Sequence, residues 1–345
     1  MTRYIIIGAG AIGGGIGGRL AQAGTPTVLV ARGDHLAALQ SHGMRLRSPE
    51  DDLTVPVVAV GSPDELELHD DDVLVLATKT HQATAALIPW ADASVYVDGV
   101  AVGTAGERLP VLTALNGVAS EQMALRYFSR VFGVCVWMPA VHLEPGEVII
   151  RGVPISGMFH IGRVPSAQAD DEDQALLDQL QNDWTAAGFA VTLPEDVMPW
   201  KYRKLISNIG NAFQALVGTN GNTKPLVQAA DREARDVLEA AGITVTDDAE
   251  EKEARSHSFT VKPVPGEPAE LGGSTWQSLT RGTGNVESDY LNGEIAQIAH
   301  AHGLAAPINS RIASLARRAA ADGQKPGSVS ADELAEALGL AGARS

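Results

Sequence analysis

Cysteine is nearly missing from this chain, since Cys135 is the only one among 345 residues. A single thiol cannot close a disulfide within the chain, and it cannot supply the paired cysteines of many zinc sites. A reducing compartment is the simplest environment for such a protein, so we expect it to be cytoplasmic. Cys135 lies in the apolar run 134–137, which predicts a buried small side chain and not a nucleophile.

Positive charge and long apolar runs are also scarce. The 26 Lys and Arg residues are outnumbered by 42 Asp and Glu residues, which gives a formal net charge of −16 at pH 7. Such a surface repels the phosphates of nucleic acids and anionic lipids. No stretch is long and apolar enough to cross a bilayer. We therefore expect no nucleic-acid partner and no membrane, and a small anionic ligand would need a local basic site.

Histidines are not spaced for metal binding. His300 and His302 lie two apart on a predicted helix, so they point to different faces and cannot share one ion. The other histidines are scattered along the chain. The sequence therefore predicts no metal site.

The first half of the chain alternates short apolar runs with helical segments. Such runs predict strands at residues 4–7, 27–31, 55–60, 73–77, 111–115 and 131–136. Short buried strands that alternate with helices predict a mainly parallel sheet covered on both faces.

Beyond Pro194 the strand-like runs almost vanish and helical periodicity dominates. Helices are predicted at residues 200–216, 223–241 and 285–302, and the segment 247–273 is predicted to be an irregular excursion. The chain is therefore predicted to be an α/β protein. Its residues 1–193 would form the parallel-sheet domain, and residues 194–345 would form an all-helical domain.

A glycine motif opens the chain. Residues 8–13 read Gly-Ala-Gly-Ala-Ile-Gly, between a predicted strand and a predicted helix, where this pattern indicates a dinucleotide site. Gly8 would permit a tight turn, Gly10 the approach of a pyrophosphate, and Gly13 close packing of helix on strand. The helix start at Ala11 and Ile12 would hold phosphates through free N–H groups and its dipole. The alternative is a flexible glycine-rich loop, because four more glycines follow by residue 18.

The end of the second predicted strand bears on the choice of dinucleotide. NAD-binding folds usually place Asp or Glu there to bind the ribose 2′-OH, but this strand ends in Ala31, Arg32 and Gly33. The guanidinium of Arg32 could grip a 2′-phosphate with two hydrogen bonds. Arg32 therefore favours NADPH over NADH, and a solvated surface arginine is the alternative.

A polar stripe follows Pro194. On one continuous helix, the side chains of Lys204, Asn208 and Asn211 would share a face with Trp200. The neighbouring apolar face would be formed by Leu205, Ile209, Phe213 and Leu216. The polar stripe suits a cavity in which a lysine gives a proton to a small polar substrate, but a solvated helix edge has the same spacing.

Two later segments carry hydroxyls and a carboxylate. Ser274 and Thr275 stand at a predicted helix start, and Glu287 follows about three turns later. These groups could serve a substrate, although an N-cap and an exposed acidic face explain the pattern more simply.

Taken in order, these residues resemble the ketopantoate reductase (2-dehydropantoate 2-reductase) family over nearly the whole chain. Each motif is weak alone, but their order and spacing are specific. The motifs are GAGAIGG at 8–14, TKTHQ at 78–82, LNGV at 115–118, KLISN at 204–208, STW at 274–276, ESDYLNG at 287–293 and PIN at 307–309.

The resemblance implies a Rossmann domain joined to a helical domain like that of 6-phosphogluconate dehydrogenase, with the active site in the cleft between them. It implies reduction of a 2-keto acid to a 2-hydroxy acid by NADPH. For this family, the reaction converts 2-dehydropantoate to pantoate on the route to pantothenate. The resemblance leaves a homodimer open.

Roles carried over from the family fall first on the polar stripe. Lys204 would be the general acid that protonates the keto oxygen, and Glu287 would hydrogen-bond the reacting end or the lysine. Asn116, Asn208 and Asn211 would orient the substrate or that lysine.

Further roles fall on binding residues. Thr275, with Ser274 beside it, takes the place of the family's substrate-binding serine. Lys79 would help to hold cofactor or substrate, and Asn116 would also contact the cofactor.

Several positions depart from the family pattern near the expected substrate. Leu115 stands where glutamine or histidine is common, and Asn211 comes one residue early. Thr275 and Trp276 replace Ser and Met. Two other functions therefore remain open: a reductase of a different branched 2-keto acid, and a non-catalytic NADPH-binding regulatory protein.

Overall fold

The computed structural model describes residues 2–219, 221–256, 258–268, 272–282 and 284–340. The chain divides into two units. The first comprises Met1–Leu115, Ser120–Trp200 and Asp248–Ala269, and the second comprises Asn116–Ala119, Lys201–Asp247 and Glu270–Ser345. The predicted domain boundary between residues 193 and 194 stays a prediction, because a division into packed units does not show which segments fold independently.

All the strands found in the described residues belong to the first unit. They are β1 (Arg3–Ile7), β2 (Thr27–Val30), β3 (Met44–Arg47), β4 (Asp52–Val55), β5 (Val58–Val60), β6 (Leu68–His69), β7 (Asp72–Leu76), β8 (Ser94–Val97), β9 (Val100–Thr104), β10 (Pro110–Thr113), β11 (Arg130–Trp137), β12 (Ala140–Val141), β13 (Glu147–Ile150), β14 (Gly152–Val153), β15 (Met158–Val164), β16 (Ala190–Thr192) and β17 (Thr260–Val261).

The α-helices of the same described ranges occur in both units. They are α1 (Ala11–Gln22), α2 (Gly33–His42), α3 (Ala83–Ala91), α4 (Ala105–Arg108), α5 (Ala119–Ala124), α6 (Asp171–Ala186), α7 (Met198–Asn208), α8 (Gly210–Val217), α9 (Lys224–Ala240), α10 (Asp248–Ser256), α11 (Ser274–Arg281), α12 (Asn292–Ala301), α13 (Pro307–Ala321) and α14 (Ala331–Ala337).

The central sheet of the first unit has eight strands in the order β16-β15-β11-β10-β7-β1-β2-β5. Six of its seven pairings are parallel, and only β11 with β15 is antiparallel. From β5 to β11 the order is that of the Rossmann fold, which reverses direction at β1. The predicted mainly parallel sheet is confirmed. Successive residues of β1 pack in separate cores on the two faces, as with Ile5 and Ile6, which explains why its sequence is continuously apolar.

The predicted run 55–60 is two strands, not one. Pro56 has no N–H to donate to a ladder, and the chain leaves one sheet there and enters another. The strand β4 ends at Val55 in a small sheet of order β12-β13-β3-β4, whereas β5 begins at Val58 on the edge of the central sheet.

The helix α1 lies between the central sheet and this small sheet, and its glycines permit that position. A Cβ on Gly17 would lie 2.4 Å from Leu29 Cδ2 of the central sheet. A Cβ on Gly18 would lie 2.9 Å from Leu46 Cδ2 of the small sheet. Both distances are shorter than van der Waals contact, so a side chain at either position would have to displace a buried leucine. The alternative of a flexible glycine-rich loop is wrong.

The regular elements described in the second unit are all helical, which confirms the predicted helical segment. The single helix predicted at 200–216 is wrong, because α7 ends at Asn208 and α8 begins at Gly210. Asn292 Nδ2 donates a hydrogen bond of 3.3 Å to the Ile209 carbonyl, at the site of the break. Glycine at the start of α8 also disfavours continuation. The predicted apolar face remains buried: Leu205, Ile209, Phe213 and Leu216.

The helix predicted at 285–302 is also broken. A 3₁₀ helix covers Glu287–Tyr290, and α12 begins at Asn292 after Leu291, whose φ of −117° and ψ of −90° are not helical. The buried Asn292 amide also donates to Asn309 Oδ1 at 3.0 Å. Such tertiary bonds override the local periodicity. The helix predicted at 223–241 is confirmed as α9.

The excursion predicted at 247–273 is more regular than expected. It contains α10 and the strand β17, which pairs antiparallel with β14. Arg47 Nη1 forms an ion pair of 2.6 Å with Glu267 Oε1, and Arg151 Nη2 donates to the Pro268 carbonyl at 2.6 Å. These contacts attach the segment to the first unit.

A buried histidine lies under the start of α7. His160 on β15 stacks on Trp200 with ring centroids 3.8 Å apart and an angle of 20°. Its Nδ1 contacts the Thr192 hydroxyl. Burial lowers the pKa of His160 to about 4, so the ring is neutral near pH 7.

We predict that this histidine makes the first unit sensitive to acid. The unfolded chain takes up the His160 proton near pH 6.5, whereas the folded chain does so only near pH 4. Stability is therefore full above pH 6.5 and falls by about 3 kcal/mol between pH 7 and pH 4. Denaturant unfolding of the wild type and of His160→Gln across this range measures the difference. Identical pH slopes for the two proteins would contradict the assignment.

Candidate active site

The glycine turn lies at the carboxyl end of β1, where the strand order reverses. The N–H groups of Gly8 and Ala9 both donate to the Val30 carbonyl at the end of β2, at 3.2 and 3.0 Å. Gly8 has φ +103°, and a Cβ there would lie 2.8 Å from Thr78 Cγ2 in the loop after β7. The turn is therefore wedged between the ends of two neighbouring strands, the position at which Rossmann folds bind ligands.

The next two motif glycines have opposite surroundings. A Cβ on Gly13 would lie 2.1 Å from the Gly8 carbonyl oxygen, whereas a Cβ on Gly10 would meet nothing within 4 Å. Gly10 is the N-cap of α1, no side chain caps this helix, and no acidic residue lies in its first turn. The N–H groups at Ala11 and Ile12 therefore begin a helix whose positive end suits an anion.

The loop after β7 adds a buried hydroxyl. Thr78 Oγ1 is buried and has no hydrogen-bond partner among the described residues. A buried hydroxyl without a partner costs free energy unless a ligand or water completes it. Lys79 follows it, half-buried, as the N-cap of the 3₁₀ turn Thr80–Gln82. A hydroxyl and a lysine beside the glycine turn fit the polar groups of a dinucleotide.

Arg32 lies where the sequence predicted it, at the end of β2. It is the N-cap of α2, its side chain is exposed, and it makes no side-chain hydrogen bond or ion pair with the described residues. This guanidinium is available to a phosphate in the ligand.

The second unit carries the polar residues of α7. Asn208 is buried, and its Nδ2 donates to Asn116 Oδ1 at 3.2 Å. Lys204 is half-buried and lies one helical turn earlier, at the spacing that puts side chains on one face. The structure therefore brings Asn116 and Asn208 together on the side of α7 that carries Lys204.

Asn211 lies on α8, not on the helix of Lys204, so the predicted four-residue stripe is wrong in that respect. It instead lies beside the start of α11. A Cβ on Gly273 would lie 2.8 Å from Asn211 Oδ1, and the Gly273 N–H donates to Gln214 Oε1 at 2.7 Å.

The start of α11 holds the two predicted hydroxyl residues. Ser274 is half-buried, and its carbonyl accepts a hydrogen bond from Ser278 Oγ at 3.0 Å. Thr275 is 1% exposed, and its Oγ1 has no hydrogen-bond partner among the residues that the structure describes. Neither caps the helix, since Gly273 is the N-cap, so the N-cap explanation is wrong.

Glu287 is buried at the start of the 3₁₀ helix and is not part of an exposed acidic face. Burial lowers the pKa of Arg281, and the negative charge of Glu287 opposes that shift. A Cβ on Gly117 would lie 2.7 Å from the Tyr290 carbonyl, so the turn at Asn116 packs against the 3₁₀ helix. The Asn116 turn thereby connects the Glu287 segment with α7.

Comparison with known proteins identifies the family. The model of Ketopantoate reductase PanE/ApbA matches residues 4–166, and that of its C-terminal part matches residues 196–320. The chain belongs to the ketopantoate reductase family. This confirms the resemblance seen in the motifs, and the chain is an oxidoreductase.

Relatives of the ketopantoate reductase family match most of the chain. A 2-dehydropantoate 2-reductase of Mesorhizobium japonicum is 30% identical over 70% of this chain and 77% of its own. One of Pyrococcus horikoshii is 25% identical over 91% and 96%. A PanE/ApbA family ketopantoate reductase structure from Ralstonia eutropha has a TM-score of 0.72 at 25% identity, covering 94% and 99%. A D-mandelate dehydrogenase structure with NADH, at 21% identity, has a TM-score of 0.74 over 93% and 99% and shows the same fold.

In this ketopantoate reductase family member, the sequence did not predict the environment of two side chains, Lys201 and Thr78. Lys201 is 2% exposed on α7, although lysine in that run looked no different from its neighbours. Thr78 lies inside the TKTHQ motif, which was the available signal. The prediction that Cys135 is a buried small side chain is confirmed, and its Sγ donates to the Trp200 carbonyl at 3.4 Å.

The described part of this family member contains neither a metal-binding cluster of His, Cys, Asp or Glu side chains nor a membrane-spanning helix. No group of three or more His, Cys, Asp or Glu side chains is placed to hold a metal ion there. No helix within those ranges is long and apolar enough to span a membrane.

The contrast between Gly10 and Gly13 gives a matched pair of variants. Gly13→Ala should destabilise the fold by several kcal/mol, because its Cβ would overlap the Gly8 carbonyl. Gly10→Ala should change stability by about 1 kcal/mol or less, because its Cβ enters open space. If the open space receives a pyrophosphate, Gly10→Ala weakens dinucleotide binding while the protein stays folded. Thermal unfolding and calorimetric titration separate the two effects, and tight binding by Gly10→Ala would argue against this site.

Proposed function

We propose that the chain reduces a 2-keto acid to a 2-hydroxy acid with NADPH and that the keto acid is 2-dehydropantoate. The observation that carries the proposal is the hydrogen bond from the buried Asn208 to Asn116, one turn from Lys204, since the resemblance assigns the family's reaction roles to these three residues. The relatives named 2-dehydropantoate 2-reductase, which match 91% of the chain in one instance, support the same substrate. The proposed setting is the cytoplasm.

Most of the residues proposed to bind the cofactor lie in the first unit. NADPH supplies a hydride when bound. The N–H groups of Gly10, Ala11 and Ile12 would hold its pyrophosphate at the start of α1. Arg32 would bind the 2′-phosphate, since its exposed side chain has no competing partner among the described residues. Thr78 Oγ1 would receive the partner that it lacks within the protein.

Two further residues, Lys79 and Asn116, are proposed to contact the cofactor. Lys79 lies in the same loop as Thr78, where an ammonium would offset the charge of the phosphates. Asn116 would contact the cofactor or the substrate, and its side-chain oxygen is already held by Asn208.

The chemical half rests on the second unit. As the carbonyl carbon gains the hydride, negative charge grows on its oxygen, and the ammonium of Lys204 stabilises that charge and donates the proton. Lys204 then recovers a proton from solvent. Asn208 holds Asn116 by its side-chain amide, so both are oriented before substrate arrives.

The remaining groups would bind the acid. Thr275 Oγ1 is buried without a partner in the described residues, and a substrate oxygen would complete it. Ser274 lies at the start of α11 with Asn211 of α8 beside it, and the hydrogen bond from the Gly273 N–H to Gln214 Oε1 ties this helix start to α8. Glu287 would hydrogen-bond the reacting end of the substrate or Lys204, and its burial makes that contact strong.

A reductase of a different branched 2-keto acid is a second candidate. The observation that favours it is the altered substrate side: Asn211 lies on a separate helix, and Thr275 and Trp276 stand where the family has Ser and Met. The added methyl group of Thr275 reduces the space beside its hydroxyl. A panel of 2-keto acids distinguishes the two.

The direct test follows NADPH oxidation by absorbance with 2-dehydropantoate and with other branched 2-keto acids. Turnover that is fastest with 2-dehydropantoate supports the first candidate, and turnover only with another acid supports the second. NADPH binding without turnover of any acid overturns both and favours the regulatory alternative.

Replacement of Lys204 tests the proton donor. We expect Lys204→Ala to lower kcat by about 10²- to 10⁴-fold, the usual loss when a general acid is removed. The dissociation constant for NADPH should change by less than about twofold, because Lys204 is not among the residues proposed to contact the cofactor. Lys252→Ala, an exposed lysine on α10, is the matched control and should behave as the wild type. Unchanged turnover by Lys204→Ala would remove the role assigned to it.

Replacement of Arg32 tests the choice of cofactor. We expect Arg32→Gln to raise the KM for NADPH by about 10- to 100-fold, because charge-assisted hydrogen bonds to the 2′-phosphate are lost. The KM for NADH should stay within about twofold. Arg108→Gln, another exposed arginine, is the control. Equal losses for both cofactors would show that Arg32 does not recognise the 2′-phosphate.

A further inference from the structure

One side chain joins the glycine turn to a distant hairpin. His35 lies in the first turn of α2, and its Nε2 is 2.8 Å from the Ala9 carbonyl oxygen. The Gly146 N–H donates to His35 Nδ1 at 2.9 Å. Since a backbone N–H can only donate, Nδ1 accepts, and Nε2 must carry the proton that bonds to Ala9. Both ring nitrogens of His35 are therefore used, and its ring is neutral.

Neutrality of the ring agrees with its surroundings. Burial lowers the pKa of His35. The hydrogen bond to the Ala9 carbonyl raises this pKa by a smaller amount, and the nearby His142 lowers it slightly further. The two imidazole rings are 4.3 Å apart and tilted by 49°. His142 Nδ1 lies 2.9 Å from the Glu147 carbonyl oxygen, which ties the second ring to β13.

The hairpin between β12 and β13 presents Gly146 in a fixed orientation. The Gly146 carbonyl accepts from the Arg45 N–H at 2.8 Å, so the small sheet holds this residue. Gly146 has φ +77°, and a Cβ there would lie 3.0 Å from Ala38 Cβ on α2. The hairpin therefore supports His35 through both its backbone and its close contact with α2.

The hydrogen bond to Ala9 fixes a peptide unit of the glycine turn. In a trans peptide the Ala9 carbonyl and the Gly10 N–H point in opposite directions. Since His35 holds the carbonyl, the Gly10 N–H is directed away from it. The preceding N–H groups of Gly8 and Ala9 are already bound to Val30. The side chain that completes the orientation of the turn is His35.

We propose that His35 is a positioning residue that holds the glycine turn in the conformation that binds dinucleotide phosphates. This role of His35 rests on the proposed function only for the identity of the ligand. Because His35 follows Arg32 by three residues, one helix start supports both the pyrophosphate turn and the proposed 2′-phosphate contact. His35 does not touch the reacting atoms, so its effect falls on cofactor affinity and not on proton transfer.

The experiment compares His35→Leu with His35→Gln in the full chain. Leucine removes both hydrogen bonds, whereas the glutamine amide can donate to Ala9 and accept from Gly146. We expect His35→Leu to raise the dissociation constant and the KM for NADPH by about tenfold or more. The kcat at saturating cofactor should stay within about twofold, and His35→Gln should recover most of the affinity. His42→Leu, an exposed histidine on the same helix, is the matched control.

Three outcomes would overturn the proposal: wild-type affinity in His35→Leu, equal losses in the leucine and glutamine variants, or a wild type that binds neither NADPH nor NADH. A wild type that binds dinucleotide but reduces no keto acid would sink the proposed function alone. The His35 comparison would then still be decided by the dissociation constants.

Discussion

The close approach of α1 to the strands around it is the constraint on which the first unit depends. A Cβ on Gly13 would stand 2.1 Å from the Gly8 carbonyl, and one on Gly17 would stand 2.4 Å from Leu29 Cδ2. A packed interior cannot absorb overlaps of that size. With glycine at these positions, α1 begins directly beyond the end of β1, where the strand order reverses. The helix start is thereby directed at the place where a Rossmann fold binds its ligand.

In the second unit, the side-chain amides of buried asparagines form hydrogen bonds at the break between α7 and α8. Asn292 Nδ2 donates to the Ile209 carbonyl and to Asn309 Oδ1, and Asn309 Nδ2 donates to the Ala230 carbonyl at 2.9 Å. These bonds accompany the break between α7 and α8. On the two sides of this break, Asn208 lies beside Asn116, and Asn211 lies against the start of α11.

Structural features that depend on residues close together in the sequence could be predicted. Apolar β-branched runs located the strands of the central sheet, and the spacing of Gly8, Gly10 and Gly13 located the turn. Features that depend on distant partners were not predictable. The helix break at Ile209 involves a residue 83 positions away, and the partners of His35 lie 26 and 111 positions away. A lone histidine on a short helix carries no local signal of such bonds.

A crystal structure of the protein with NADPH would show directly whether the start of α1 binds the dinucleotide. We expect pyrophosphate density against the N–H groups of Gly10, Ala11 and Ile12, and the 2′-phosphate beside Arg32. The hydrogen bond between His35 and Ala9 should be unchanged. Density for the dinucleotide away from the start of α1, or a glycine turn rearranged on binding, would contradict this binding mode.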